Sequence, residues 1–390
     1  MKIVVFGHPA FVGSPSMDSF VTMVADGMRA RGHDVELWRP EGIARRLGLG
    51  PRSRKWLGYI DQYVVFPFVA SSRLRHMDGE PLVVLCDHAL GMWMPFLRDR
   101  PHVIHSHDFN PLRELAGDFP RRRLSLSGRL YQSLIRRGFR MGNTFIAVSQ
   151  ATARDVARFH PGQPLRCEVV YNGLNYPYGP LGQAEALARL RQVVPAPVEP
   201  GMLLHVGGNQ WYKNRLGVLA LYLAYCRVTP VPRSLWMIGA PPEREMMALA
   251  RQAANVGGEV RWFAGLPTEA VHAAYALAAV FLFPSLEEGF GWPIIEAMAC
   301  GTPVLTTDRA PMSEIAGDAA TLIERMPEDD RDMWAMRNAP VLSEMAAWSA
   351  SRRQRVVERA RVHALGFSAE HALDEYERIY RDVLHVHAHA

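Results

Sequence analysis

Apolar residues along this chain gather into short unbroken runs separated by longer stretches of helical periodicity. KIVVFG (2–7) is the first run, closed by a loop with Gly7, Pro9 and Pro15. From Met17 to Gly32 the apolar positions recur at three- and four-residue steps, which predicts an amphipathic helix that Gly32 stops. HDVELW (33–38) is the next strand. Strand, helix and strand make a βαβ unit, and strands apolar throughout belong to a parallel sheet covered on both faces. Runs at 82–86, 102–106, 144–149 and 167–172 extend that sheet.

After Asn172 the texture changes. GLNYPYGPLG (173–182) has the glycine and proline content of a linker. A second α/β series follows, with strands at 202–207, 234–239, 260–265, 279–284 and 303–307 and helices starting near Leu216 and Pro242. The segment 368–384 predicts a closing helix with Ser368 as N-cap and Glu370 in its first turn. The expected architecture is α/β: two doubly wound, parallel-sheet domains, 1–175 and 176–367, facing across a cleft. The terminal helix, 368–390, is expected to pack back on the first domain. A cleft of this kind is the default ligand site.

Composition narrows the class. A chain of 390 residues exceeds one ordinary core, and 48% apolar with 21% charged residues describes globular material. Cys86, Cys167, Cys226 and Cys300 form no CxxC pair and sit in or near apolar segments, as buried thiols of a reducing compartment do. MKIVVFGHPAFVG is broken by Gly7 and Pro9 and does not resemble a signal peptide, while YVVFPFVA (63–70) is too short to span a bilayer. A cytoplasmic enzyme is the expectation.

The net charge of +5 is unevenly placed. No acidic residue lies between Asp118 and Asp155, whereas Arg121, Arg122, Arg123, Arg129, Arg136, Arg137, Arg140 and Arg154 do. RLYQSLIRRGFR (129–140) sets Leu130, Leu134 and Phe139 among these arginines. Two readings stay open: a solvated helix covering the sheet, or a basic amphipathic surface at 121–140 resting on an anionic membrane. No nucleic-acid motif accompanies the charge. His385, His387 and His389 are terminal and lack supporting carboxylates or thiols, so no metal site is expected. No GxSxG nucleophile turn is present.

The chemistry-bearing stretch is EEGFGWPIIEAMACGTPV (287–304). A loop with Gly289 and Gly291 leaves a buried strand, Pro293 suits the first turn of a helix, and Gly301 ends it. The glycines let the backbone approach a ligand, and N–H groups at a helix start bind its oxygens. Glu288 on the loop and Glu296 on the helix can address one ligand from two sides. Carboxylates accept from paired hydroxyls, as a sugar nucleotide presents.

This stretch, continued by AMACGTPVLTTDRAPMSEIAGDAA, resembles the E-x7-E signature of the family 4 (group 1) glycosyltransferases. HVGGNQWYKNR (205–215), GAPPERE (239–245), FAGLPTEAV (263–271) and YNGLN (171–175) share the likeness, and FIAVSQAT (145–152) carries a thinner one. The resemblance implies the GT-B fold of two Rossmann-like domains and sugar transfer with retention. It implies that Glu296 holds the donor ribose, and that Glu288 with backbone around Gly289, Phe290 and Gly291 contacts the sugar. Lys213 takes the diphosphate, Leu266 the base, and Gly13 the diphosphate from the first domain. The family's second cation is missing: Gly208 or Asn209 stands there, with Arg215 as a substitute. His88 and His107 compete for the implied catalytic-face role beside Glu288 and Lys213; His88 is favoured, which leaves His107 with Asp108 on the acceptor side, and His105 and His205 read as structural.

The likeness is greatest to bacterial polysaccharide mannosyltransferases, which points first to GDP-mannose and next to a UDP-hexose. The acceptor is then a glycan or lipid-linked oligosaccharide, with no cofactor and no metal. Two rivals are a nucleotide-sugar epimerase on the same scaffold and a non-catalytic nucleotide-sugar-binding subunit of a membrane-associated complex.

Overall fold

Among the described residues twelve short strands, most of them rich in apolar residues, are distributed over two sheets. They are seen in a computed structural model that describes residues 1–390 except Ala10, Val12, Ser14, Arg123, Ala196 and Ala390. Arg123, counted above in the basic run, lies outside the described residues. The chain divides into two units, Met1–Asn175 with Ala369–Ala390, and Tyr176–Ser368.

In the first unit the strands are β1 (Lys2–Phe6), β2 (Asp34–Trp38), β3 (Leu82–Leu85), β4 (His102–Ser106), β5 (Thr144–Ala147) and β6 (Arg166–Val169). All pair in parallel in the order β2-β1-β3-β4-β5-β6. Alternation along each strand sends side chains to opposite faces. One face carries Val4, Phe6, Val83, Leu85, Ile104 and Phe145 into a core with Phe66, Trp93, Phe109 and Phe139. On the other face of β4, His105 meets Phe20 of the helix Pro15–Ala30 and Tyr376 and Tyr380 of the helix Ala369–Ala388. Gly27 lets that helix come close, since a Cβ there would lie 2.5 Å from the Leu373 side chain. Arg31 completes this contact through Glu370 and Asp374, at 2.6 and 2.7 Å.

In the second unit the strands are β7 (Leu203–Gly207), β8 (Leu235–Gly239), β9 (Val260–Phe263), β10 (Val280–Phe283), β11 (Val304–Thr307) and β12 (Thr321–Ile323), in the order β12-β11-β10-β7-β8-β9. Leu203, Leu235, Met237, Val280, Leu282 and Leu305 pack against the helices Arg215–Val228 and Arg331–Ala346, the latter through the buried Trp334.

Strand order locates the reactive ends. In an open parallel sheet the chain reverses direction at a switch point, and ligands bind beyond the carboxyl ends of the two strands flanking it. Those strands are β1 and β3 in the first unit, and β7 and β10 in the second.

Candidate functional site

At the second unit's switch point the loops leaving β7 and β10 are bound together. Asn214 adopts the left-handed conformation (φ 53°), which asparagine tolerates. Its Oδ1 accepts from Gly217 N–H, capping the helix Arg215–Val228, and its Nδ2 donates to the Pro284 carbonyl at 2.8 Å. Leu286 N–H donates to the Tyr212 carbonyl at 2.7 Å. Fixed by these links, Lys213 Nζ reaches both carboxylate oxygens of Glu288, each at 2.9 Å. The pair is largely enclosed, with 19% and 8% of the two side chains exposed.

Gly289, Phe290 and Gly291 follow Glu288. Phe290 is buried, and Gly291 (φ 105°) takes the left-handed N-cap position of the helix Trp292–Cys300, a conformation that excludes a β-carbon. Glu296 lies one turn into that helix, where its Oε2 accepts from Tyr275 at 2.9 Å. Enclosure pushes its carboxyl up to about 7, although the Tyr275 hydrogen bond and the Lys213 charge favour ionisation. The two glutamates singled out in the sequence thus differ in surroundings: Glu288 is ion-paired, and enclosure favours the protonated form of Glu296.

Asn209 and Arg215 form a second link. Arg215 Nη1 donates to Asn209 Oδ1 and to the Ala240 carbonyl (2.8 Å), and Asn209 Nδ2 donates to the Pro241 carbonyl (2.9 Å). The guanidinium lies over Trp262 at 5.4 Å and is buried. Arg215 therefore ties the loop after β7 to the loop after β8. Gly207 and Gly239 are paired there, and a Cβ on Gly239 would sit 2.1 Å from the Gly207 carbonyl oxygen. Leu266, half-buried, follows β9, next to Gly265 with φ 68°. His205, inside β7, bonds the Leu282 carbonyl through Nδ1, and burial lowers it to about 3.

The first unit's switch point holds a separate group of side chains. His8, past β1, and Asp87, past β3, meet at 2.8 Å, and His88 Nδ1 lies 2.9 Å from the other Asp87 oxygen. Burial works against the charge on Asp87, yet His88 and His8 outweigh it and hold the carboxyl well below its usual range. His88 stacks on Phe109 with centroids 4.1 Å apart. His107 Nε2 bonds the Cys86 carbonyl at 3.1 Å, and burial brings it to about 4 despite Asp87 nearby. Asp108 Oδ1 accepts from Asn110 N–H. Gly13 has φ 67° with nothing within 4 Å of where a β-carbon would stand. Sequence reasoning missed Tyr275, His8 and Asp87. Only the adjacency of β1 and β3 signals the latter two, and no spacing signals Tyr275.

Residues 188–363 match the family described as "Glycosyl transferases group 1", and residues 17–176 match "Glycosyltransferase Family 4". The chain belongs to the family 4 (group 1) glycosyltransferases. This glycosyltransferase is 29% identical over 303 residues to the alpha-maltose-1-phosphate synthase of Mycolicibacterium smegmatis, covering 73% of each chain. It is 31% identical over 148 residues to the O-antigen chain mannosyltransferase B of Escherichia coli, covering 38% of each. Sucrose-phosphate synthase from Thermosynechococcus elongatus shares its fold, with a TM-score of 0.71 at 18% identity over 99% of this chain and 100% of that one. The glycosyltransferase is thus a sugar-transferring enzyme of the GT-B fold. Among its described residues no group of three or more His, Cys, Asp or Glu could hold a metal, and no helix is long and apolar enough to cross a membrane.

Proposed function

We propose that the enzyme moves a hexose from a nucleoside-diphosphate donor to a hydroxyl of a glycan or lipid-linked acceptor, with retention, in bacterial surface polysaccharide synthesis. The observation that carries this reading is the Lys213–Glu288 pair at the carboxyl ends of β7 and β10, with Glu296 one turn into the following helix. A cation for a diphosphate and two carboxylates for hydroxyls stand where an α/β sheet binds its ligand. GDP-mannose is the first donor and a UDP-hexose the second. The partial likeness to an O-antigen mannosyltransferase supports mannose.

In this reading Lys213 neutralises charge on the leaving diphosphate, and Glu288 with the backbone of Gly289, Phe290 and Gly291 holds the transferred sugar. Glu296 accepts from the ribose, Leu266 lies at the base, and Asn209 borders the donor. From the first unit, Gly13 serves the diphosphate, His88 the sugar, and His107 and Asp108 the acceptor. The bond from the anomeric carbon to the phosphate oxygen breaks as the acceptor oxygen bonds to that carbon on the same face. The departing phosphate oxygen takes the acceptor proton. The protein's part is positional and electrostatic, and neither metal nor cofactor is required. The cytoplasm, which supplies nucleotide sugars, is the proposed location.

Donor hydrolysis without acceptor tests the reading, comparing GDP-mannose with a panel of UDP-sugars for the wild type and Glu296→Ala. Turnover of one donor that collapses in the variant supports it and names the sugar. Tight donor binding without turnover, even with cell-extract acceptors added, points instead to a non-catalytic nucleotide-sugar-binding subunit.

A further inference from the structure

The first unit carries two rows of exposed apolar side chains. The helix Pro51–Ile60 continues through a π-turn, Asp61–Val65, into the helix Phe66–Arg75. Along it Trp56, Ile60, Val64 and Phe68 are 63%, 45%, 62% and 73% exposed, each four residues after the last. In a regular α-helix such a row drifts around the axis. The wider turn, in which Phe66 N–H bonds the Asp61 carbonyl, reduces that drift and keeps the row more nearly aligned. The helix Leu126–Phe139 repeats the pattern with Leu126, Leu130 and Leu134, also at four-residue steps. Tyr59 and Tyr63 pack on Tyr131, joining the two helices at ring distances of 6.0 and 6.1 Å. Leu47 and Leu49, just before the first helix, are exposed as well.

The charge on these helices has one sign. Between Glu41 and Asp78 the sole acid is Asp61, which is buried, with both oxygens taken by the N–H groups of Ala44 and Arg45 at 2.7 and 2.8 Å. Arg46, Arg52, Arg54 and Lys55 on the first stretch are exposed, as are Arg129, Arg136 and Arg137 on the second. Large apolar side chains interleaved with cations and no exposed acid match a lipid surface of negative charge: the side chains enter the headgroup layer while the cations meet its phosphates. A second copy fits poorly, since a symmetric contact would set this positive surface against itself.

We propose that this two-helix surface, from Leu47 to Phe68 and from Leu126 to Leu134, seats the first unit on an anionic membrane. It extends the basic segment 121–140 to a larger surface whose apolar side chains come mostly from the first stretch. Phe11, in the loop after β1, packs against Gly42 and Gly58 and lies beneath Arg45 (4.9 Å), so the seat is continuous with the first unit's switch-point loop. A lipid-linked acceptor would then be met at the surface that carries it. The inference does not depend on the donor reading, because its test uses no sugar.

The test is co-sedimentation of the full chain with phosphatidylcholine vesicles, with and without phosphatidylglycerol. The expected result is binding at least about tenfold stronger to the anionic vesicles and weakened by salt. Trp56→Ser with Phe68→Ser should reduce it about tenfold or more at low salt, with the thermal midpoint unchanged because both side chains are exposed. Arg136→Glu with Arg137→Glu should remove the preference for phosphatidylglycerol. Equal weak binding to both vesicle types would overturn the proposal, as would binding that neither double variant alters. Self-association of the wild type abolished by Trp56→Ser with Phe68→Ser, without vesicle binding, would reassign the surface to a second copy.

Discussion

Glu296→Gln should make the enzyme more stable, and only above a certain pH. The Glu296 carboxyl is enclosed beside Tyr275 and pushed from its ordinary 4.5 to about 7. Between those values the folded chain keeps a proton that the unfolded chain releases. The contribution of this group is therefore fully present below about pH 4.5 and is lost as pH rises through 7. At 1.36 kcal/mol per pH unit the span corresponds to about 3 kcal/mol, and partial solvent contact brings the expected loss to about 2 kcal/mol. Glutamine keeps an oxygen for the Tyr275 hydroxyl and has no charge to lose.

The assay is urea unfolding of wild type and Glu296→Gln at steps from pH 4 to 8.5. Every other titrating group is shared, so the difference between the two curves isolates Glu296. That difference should be near zero at the acid end and grow to about 2 kcal/mol above pH 7 in favour of glutamine. Binding supplies a second reading. On the proposed reading, ribose hydroxyls donating to Glu296 favour its charged form, so calorimetry near pH 6.5 in buffers of different ionisation enthalpy should register proton release on nucleotide binding, absent in the variant. A stability difference that is flat across the range would refute the argument, because Glu296 would then titrate as an ordinary surface carboxylate.

Removing Tyr275's hydroxyl as Phe should cost about 1 kcal/mol and move the same titration upward, since that hydrogen bond favours the charged carboxylate; the urea series at stepped pH checks it. Lys213→Ala should lower the stability of the second unit by about 1.5–3 kcal/mol through loss of a charged hydrogen bond, and should abolish donor hydrolysis. Glu288→Gln should instead tighten binding of the bare nucleoside diphosphate several-fold while turnover falls, measured by calorimetry and by donor hydrolysis. Asp87→Asn should destabilise the first unit by about 1.5–3 kcal/mol at neutral pH. The depressed carboxyl contributes above about pH 4 and loses that contribution as pH falls, so denaturation profiles of the two proteins should converge in acid.

Strands such as VFLF of β10 and LVVL of β3 were legible because a strand buried on both faces is apolar at nearly every position. β12 escaped notice for the opposite reason: three residues at a sheet edge, with one of them buried, leave no run. The helical stretch 51–75 was equally hidden. Its YVVFPFVA segment holds a π-turn and a proline, and its outward row is as apolar as its inward one, so neither period stands out. In the site, Glu288 stood out through its Gly-rich loop pattern and Lys213 through the resemblance to the family. Their 2.9 Å contact spans 75 residues and follows from β10 lying beside β7, an order no local pattern encodes. Tyr275 over Glu296 and Asp87 between His8 and His88 are hidden in the same way.

The two glutamates of the E-x7-E stretch stand in different surroundings. Residue type and spacing make them look alike; a lysine beside one and enclosure by protein around the other set them apart. On the proposed reading this difference orders the events of binding. Lys213 can turn to an incoming diphosphate only by giving up part of its hold on Glu288, and the oxygens thereby released become acceptors for sugar hydroxyls. Diphosphate recognition and sugar recognition then become one exchange of partners, and a bare nucleotide would meet the cost of separating the pair without the sugar contacts that offset it. The missing second cation fits the same logic. With Asn209 held by Arg215 and the Pro241 carbonyl, Lys213 is the cation that the loops after β7 and β10 place against Glu288, so competition for it can decide whether the sugar is held.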